Sequence, residues 1–236
     1  MKAALIAPNN LKYWELKGDM LFIIADPEMS KELKKFYRKS KMYKMLDNGA
    51  YETGAVAREQ LLQLAAELRV QEIVIPDKIG DPDFTRWEAY KWFSPLPRKY
   101  KYAYVPQGKD PLQWLTEYRI ARMFDWIDTI CLPVWLDKVF HCRSHLVNYL
   151  VKCGQWSRRH QHHLIGLDSL FDLYSLPHNK IRSVDTSLPF SATFHKLSTM
   201  HYTISHDRVN LKNAEMDEKL LSENVEAYLT AVHWVG

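Results

Sequence analysis

Short apolar runs recur along the chain and stop on an acid or an amide: LFIIAD on Asp26, YKMLD on Asp47, EIVIPD on Asp77, YAYVPQ on Gln107, HLIGLD on Asp168 and IRSVD on Asp185. Together with AALIAP (3–8) and DTICLP (128–133), the runs at 21–26, 43–47, 72–77, 102–107, 163–168 and 181–185 predict eight strands. Their near-continuous apolarity suits strands buried on both faces of a parallel sheet. Helical stretches separate most of them, at 30–40, 58–70, 81–93 and 111–124. The clearest is 58–70, where Leu61, Leu62, Ala65, Ala66 and Leu68 make an apolar stripe and Arg58 and Glu59 stay polar. The stretch 216–235 predicts a closing helix.

Strand and helix alternating at roughly 20 to 35 residues is the spacing of repeated βα units. Eight units close naturally into a (β/α)8 TIM-type barrel of about 250 residues, close to this chain's 236. An open doubly wound sheet competes, but PNNLKYW follows the first strand where a Gly-rich phosphate turn would stand. Segment 169–180 leaves room for a short helix at most, and 186–212 is rich in Thr, Ser and His. With no linker, repeat or low-complexity tract, a single domain over 1–236 is the simplest organisation. In such a barrel all strand ends converge on one face. An Asp ending one strand is often a turn residue. Several converging acids repel one another and would cost stability without a use.

With 47% hydrophobic and 25% charged residues, the composition is that of a globular protein able to bury a core, and excludes a disordered or fibrous chain. No run approaches the ~18 apolar residues of a membrane helix. MKAALIAPNN meets Pro and Asn too early for a secretory segment, so the expected location is the cytoplasm. Three cysteines without CxxC spacing fit a reducing compartment. The net charge of +4 is modest, but basic residues cluster at 34–44, 98–101 and 158–163. Such clusters are solvated faces or, with Phe36, Tyr37, Tyr43, Tyr100 and Tyr102 interleaved, a surface that holds phosphates and stacks on bases. His141 and His145 are four apart and would share a helix face near Cys142 and Cys153, but the spacing is loose and no metal site is expected. RRHQHH (158–163) reads as a wet basic loop.

Five fragments carry a resemblance: LDNGAYE (46–52), IPDKIGD (75–81), VPQG (105–108), LIGLD (164–168) and VDTSLPF (184–190). In this order they resemble segments of the tRNA-guanine transglycosylase superfamily, and most of all the phage DNA 7-deazaguanine transglycosylases of the DpdA type. The resemblance implies exchange of guanine in DNA for a 7-deazaguanine base such as preQ0. Asp185 would be the nucleophile that traps C1′ as a covalent glycosyl intermediate, and Asp47 the general acid and base. Asp77 and Gln107 would read the guanine edge, Gly108 and Gly166 would let backbone approach the base, and Tyr51 would stack on it.

The implied partners are that base and DNA, single-stranded or with the target base flipped out, with no membrane, no cofactor and possible association with other base-modifying enzymes. A phage origin would place the protein in the host cytoplasm. Lys34, Lys35, Arg38, Lys41, Lys99 and Lys101, which precede Asp47 and Gln107, and Arg182 beside Asp185, are the candidate nucleic-acid contacts. No Cys follows Asp185, so the C-terminal zinc-binding subdomain of the tRNA enzymes is not expected, which favours DNA. The alternatives are the same chemistry on tRNA, a non-catalytic nucleic-acid-binding barrel, and an unrelated barrel hydrolase using Asp47 and Asp185 on a small glycoside.

Overall fold

A computed structural model describes residues 1–7, 13, 16, 18–50, 56–93, 99–204 and 215–234. Among them eight parallel strands close into a ring in chain order: β1 Lys2–Leu5, β2 Met20–Ile24, β3 Lys44–Asp47, β4 Glu72–Val74, β5 Lys101–Tyr104, β6 Thr129–Pro133, β7 Gln161–Ile165 and β8 Ser183–Thr186. Followed from strand to strand, the register returns to β1 displaced by 8 residues, the shear of a (β/α)8 barrel. Helices α1 Lys31–Lys39, α2 Arg58–Leu68, α3 Pro82–Phe93, α4 Pro111–Ala121, α5 Trp135–Phe140, α6 Arg143–Lys152, α7 Phe171–Tyr174, α8 Leu188–Phe194 and α9 Glu218–Trp234 occupy the connections and the C-terminal segment.

Local chemistry sets the helix limits. Ser30 caps α1 by accepting from the Leu33 N–H at 3.2 Å, and the buried Lys44 ammonium closes its other end by donating to the Tyr37 and Ser40 carbonyls at 3.1 and 3.0 Å. Asp110 caps α4 by accepting from the Gln113 N–H, with Pro111 in the first turn. Period-two alternation divides the strand side chains into two layers. Ala4, Met20, Phe22, Met45, Val74, Ala103, Val105 and Cys131 fill the barrel, while Leu46, Ile73, Tyr104, Ile130, Leu164 and Val184 belong to the core shared with the helices. Tyr228 of α9 donates to the Ala4 and Val184 carbonyls at 3.1 and 3.2 Å, tying α9 to β1 and β8.

Every predicted strand is present, but pairing stops earlier than the apolar runs do. Pro76 and Pro106 lack an N–H, and Gly166 turns the chain at φ 80. Of the six acids and amides, only Asp47 and Asp185 are therefore in strands; Asp26, Asp77, Gln107 and Asp168 stand two or three residues beyond. Helix α8 falls inside 186–212, where no helix was expected.

Two histidine readings are corrected. His141 ends α5 with left-handed backbone at φ 50 and His145 belongs to α6, so they share no helix face. RRHQHH is not a wet loop: Gln161 opens β7, and His160, His162 and His163 are buried. His162 stacks on Trp156 at 3.7 Å and meets the Tyr118 hydroxyl at 2.9 Å; burial pushes its imidazole down to about 3. Among the described residues no group of three or more His, Cys, Asp or Glu is placed to hold a metal ion, and no helix is long and apolar enough to cross a membrane.

A charged plug closes the N-terminal end of the barrel. Glu72, fully buried at the start of β4, accepts from the Tyr43 hydroxyl at 2.7 Å and from Arg182 Nη1 at 2.8 Å. Arg182 also donates to Gln161 Oε1 at 2.7 Å, and its guanidinium lies 5.6 Å from the Tyr43 ring centre. Burial, then the Glu72 carboxylate, push the Tyr43 phenol above its ordinary range. Removing the arginine strands the Glu72 charge in the interior. Arg182→Ala should lower unfolding free energy by about 3 kcal/mol in urea titration, the low end for a broken buried pair because Arg182 keeps some solvent contact.

Candidate active site

The interior positions of β3 and β8 place two carboxylates at the C-terminal mouth. Asp47 stands two residues above Met45, and Asp185 two above Ser183, on the inward side of their strands. Asp185 is 1% exposed. Its Oδ1 meets His163 Nε2 at 2.8 Å and accepts the Gly166 N–H at 3.2 Å, so among the described residues both donors fall on one oxygen. The His163 ring is stacked on Phe22 with centroids 5.3 Å apart. Its Nδ1 meets Ser183 Oγ at 2.8 Å.

Gly166 is needed where it stands. Its φ is 80, and a Cβ there would lie 2.9 Å from Val134 Cγ1. The fully buried Arg143 fixes the same loop by donating to the Gly166 carbonyl at 2.9 Å and to the Leu132 carbonyl at 3.2 Å, its own charge met by Asp137 at 2.7 Å. Gly108 is likewise explained by packing, since a Cβ would sit 2.6 Å from the Trp114 nitrogen of α4.

A second polar cluster sits beside β3, β4 and β5. Asp47 Oδ2 accepts from the Gly49 N–H at 3.0 Å. Asn48 donates through Nδ2 to Asp77 Oδ1 at 2.7 Å and to the Ile75 carbonyl at 2.9 Å, while its Oδ1 accepts from the Ala50 N–H. Gln107 Nε2 donates to Asp77 Oδ2 at 2.6 Å, and its Oε1 accepts weakly from the Gly80 N–H at 3.4 Å. Burial pushes the Asp77 carboxyl up to about 6, against the pull of the Asn48 and Gln107 amides. No cation offsets this buried acid in the described contacts; two amides hold it.

Asp168 faces Lys138 at 3.5 Å, and burial raises its carboxyl despite that cation. Asp26 accepts from the Glu28 N–H as a turn residue. Tyr51 lies outside the described residues.

The placement of the basic residues is corrected. Lys41, Lys99, Lys101 and Arg182 precede or open strands and therefore lie at the N-terminal end of the barrel, opposite Asp47 and Gln107. A strand advances about 3.3 Å per residue, so four residues carry the chain about 13 Å through the barrel. Lys35 and Arg38 belong to α1, outside the ring of strands, and Lys34 pairs with Glu67 of α2 at 3.1 Å. Arg182 is engaged by Glu72 in the plug. A cleft of about 620 Å³ bearing Arg122, Arg158 and Lys180 lies at this same end.

Three site residues escaped the sequence reading: His163, Asn48 and Ser183. His163 and Ser183 share the inward alternation of Asp185, and Asn48 directly follows Asp47, so period and adjacency carried the signal.

The chain matches no protein-family model and no curated protein. Among solved structures, a ligand-free tryptophan synthase from M. tuberculosis, in a mutant of its TrpA chain, aligns over 98% of this chain and 91% of its own at 10% identity, with a TM-score of 0.49.

Proposed function

We propose that the C-terminal mouth of this barrel binds a guanine-like base and exchanges it at C1′ of a nucleotide in DNA. The single observation that carries the reading is a set of three buried acids at or just beyond the ends of β3, β4 and β8. Two in-strand carboxylates face the barrel interior, and a third is held by two side-chain amides with no cation among its described contacts. In the order of the chain these acids occupy the fragments that resemble the transglycosylases.

In the proposed reaction Asp185 Oδ2 attacks C1′ from the face opposite the guanine. The C1′–N9 bond breaks, its electron pair goes to N9, and Asp47 supplies the proton. The incoming 7-deazaguanine then gives its N9 proton to Asp47, N9 attacks C1′, and the C1′–O bond to Asp185 breaks. Atoms and charge balance with no cofactor.

Asp77 would accept from guanine N1–H and the exocyclic amine. Gln107 Nε2 spends one N–H on Asp77 and keeps the other for O6. Ionised Asp77 is the accepting form, so base binding should weaken as the pH falls through about 6, measured by calorimetry with 7-deazaguanine. Lys109, on the loop after β5, would meet a phosphate of the strand entering the mouth.

The test is incubation of the protein with labelled 7-deazaguanine and guanine-containing DNA, single-stranded or duplex. Label should enter DNA, and a denaturing gel should retain a protein–DNA adduct that maps to Asp185. Label entering tRNA and never DNA would replace the substrate. Base or DNA binding without any exchange would make the barrel a non-catalytic binder.

A further inference from the structure

Below Asp185 a single file of polar groups runs to the floor of the barrel. Asp185 Oδ1 meets His163 Nε2 at 2.8 Å, and His163 Nδ1 meets Ser183 Oγ at 2.8 Å. Arg182 Nε donates to that same Ser183 oxygen at 3.1 Å, and Arg182 Nη1 donates to Glu72 Oε2 at 2.8 Å. His163, Ser183 and Glu72 are each 0% exposed, so these polar groups depend on internal partners and not on bulk solvent.

The direction of these bonds follows from what each group can give. A guanidinium only donates, so Arg182 uses Ser183 Oγ as an acceptor. Among the described residues the other partner of that hydroxyl is His163 Nδ1, which is where its hydrogen goes. Nδ1 is then bare and the ring hydrogen sits on Nε2, facing the carboxylate. The reverse tautomer would set a bare Nε2 against Asp185 Oδ1, two lone pairs 2.8 Å apart.

We propose that His163 is the positioning residue for Asp185, its tautomer set from the barrel floor by Ser183 and Arg182. Its use in catalysis rests on the reading of Asp185 as nucleophile; the direction of the chain rests on the geometry. His163 and the Gly166 N–H hold Oδ1, and Oδ2 is the oxygen that attacks. In the glycosyl intermediate Oδ1 becomes the ester carbonyl and keeps both bonds. When the incoming base displaces Asp185, the electron pair of the C1′–O bond returns to a carboxylate whose charge these two donors stabilise. The second half of the exchange therefore depends on His163 more than the first.

Two measurements test this. Nitrogen NMR of histidine-labelled protein at neutral pH should show His163 protonated on Nε2 and bare on Nδ1; a proton on Nδ1 overturns the proposal. His163→Leu should exchange base about 100-fold more slowly, with KM for the base little changed and more enzyme caught as covalent adduct. His163→Gln, whose amide N–H can reach the same oxygen, should recover most of the rate. Full exchange by the leucine variant, or a glutamine variant no better than it, overturns the positioning role. If the wild-type protein exchanges no base, the transglycosylase reading falls, and the NMR result still decides the direction of the chain.

Discussion

On the transglycosylase function proposed above, Asp185→Asn is expected to cut base exchange by about 10⁴-fold or more while leaving the fold in place. The two effects separate because of how the carboxylate is held. Both described donors, His163 Nε2 and the Gly166 N–H, converge on Oδ1. An asparagine can put its carbonyl oxygen there and its amide nitrogen in the position of Oδ2. No buried donor loses its acceptor, so unfolding free energy should move by no more than about 1 kcal/mol. The amide nitrogen cannot form the ester with C1′, so the adduct should vanish along with exchange. Asp185→Ala lacks the same activity but also leaves His163 and Gly166 unpaired, and should be the less stable of the two. An asparagine variant that still exchanges base and still forms an adduct would move the nucleophile elsewhere, with Asp47 the next carboxylate to test.

The barrel was legible because most of its strands carry apolar residues on both faces and so stand out as runs whatever their partners. Their ends were not. In EIVIPD and YAYVPQ the apolar run continues through Pro76 and Pro106, but a residue without an N–H cannot extend the ladder, and β4 and β5 stop at Val74 and Tyr104. Asp77 and Gln107 consequently belong to loops, free of the strict alternation that fixes Asp47 and Asp185.

The polar lining of the interior was harder to read. His163 and Ser183 look like loop or surface residues by type, and only their shared period with Asp185 places them inside. The same limit hid the plug of Glu72, Tyr43 and Arg182, whose members are far apart in sequence and meet only when the ring closes. Charge proximity along the chain misled for a geometric reason. Residues just before a strand and residues just after it lie at opposite ends of the barrel, so Lys41 is close to Asp47 in sequence and remote from it in space.

Asp77→Asn should make the protein more stable at pH 8 and nearly inactive. Burial raises this carboxyl from 3.8 to about 6, so the native state takes up its proton more readily than the unfolded chain does. A carboxyl shifted in that direction contributes stability that is full below pH 3.8 and is lost as the pH rises through about 6. Above that, the ionised side chain costs the fold about 3 kcal/mol. A neutral asparagine removes the charge, and Gln107 can turn its amide to present Oε1 to the new N–H at the expense of the weak 3.4 Å bond from Gly80. The variant should gain about 2 kcal/mol in urea titration at pH 8 and show almost no gain at pH 4. On the proposed base-reading role, exchange should fall by about 10³-fold, because guanine N1–H and its amine would then meet a donor and half an acceptor in place of a carboxylate. A stability gain with lost activity is what an acid kept for a ligand predicts. If the Asp77→Asn variant were instead the weaker fold at pH 8, Asp77 would be a structural acid serving Asn48 and Gln107, and the base-reading role would pass from it.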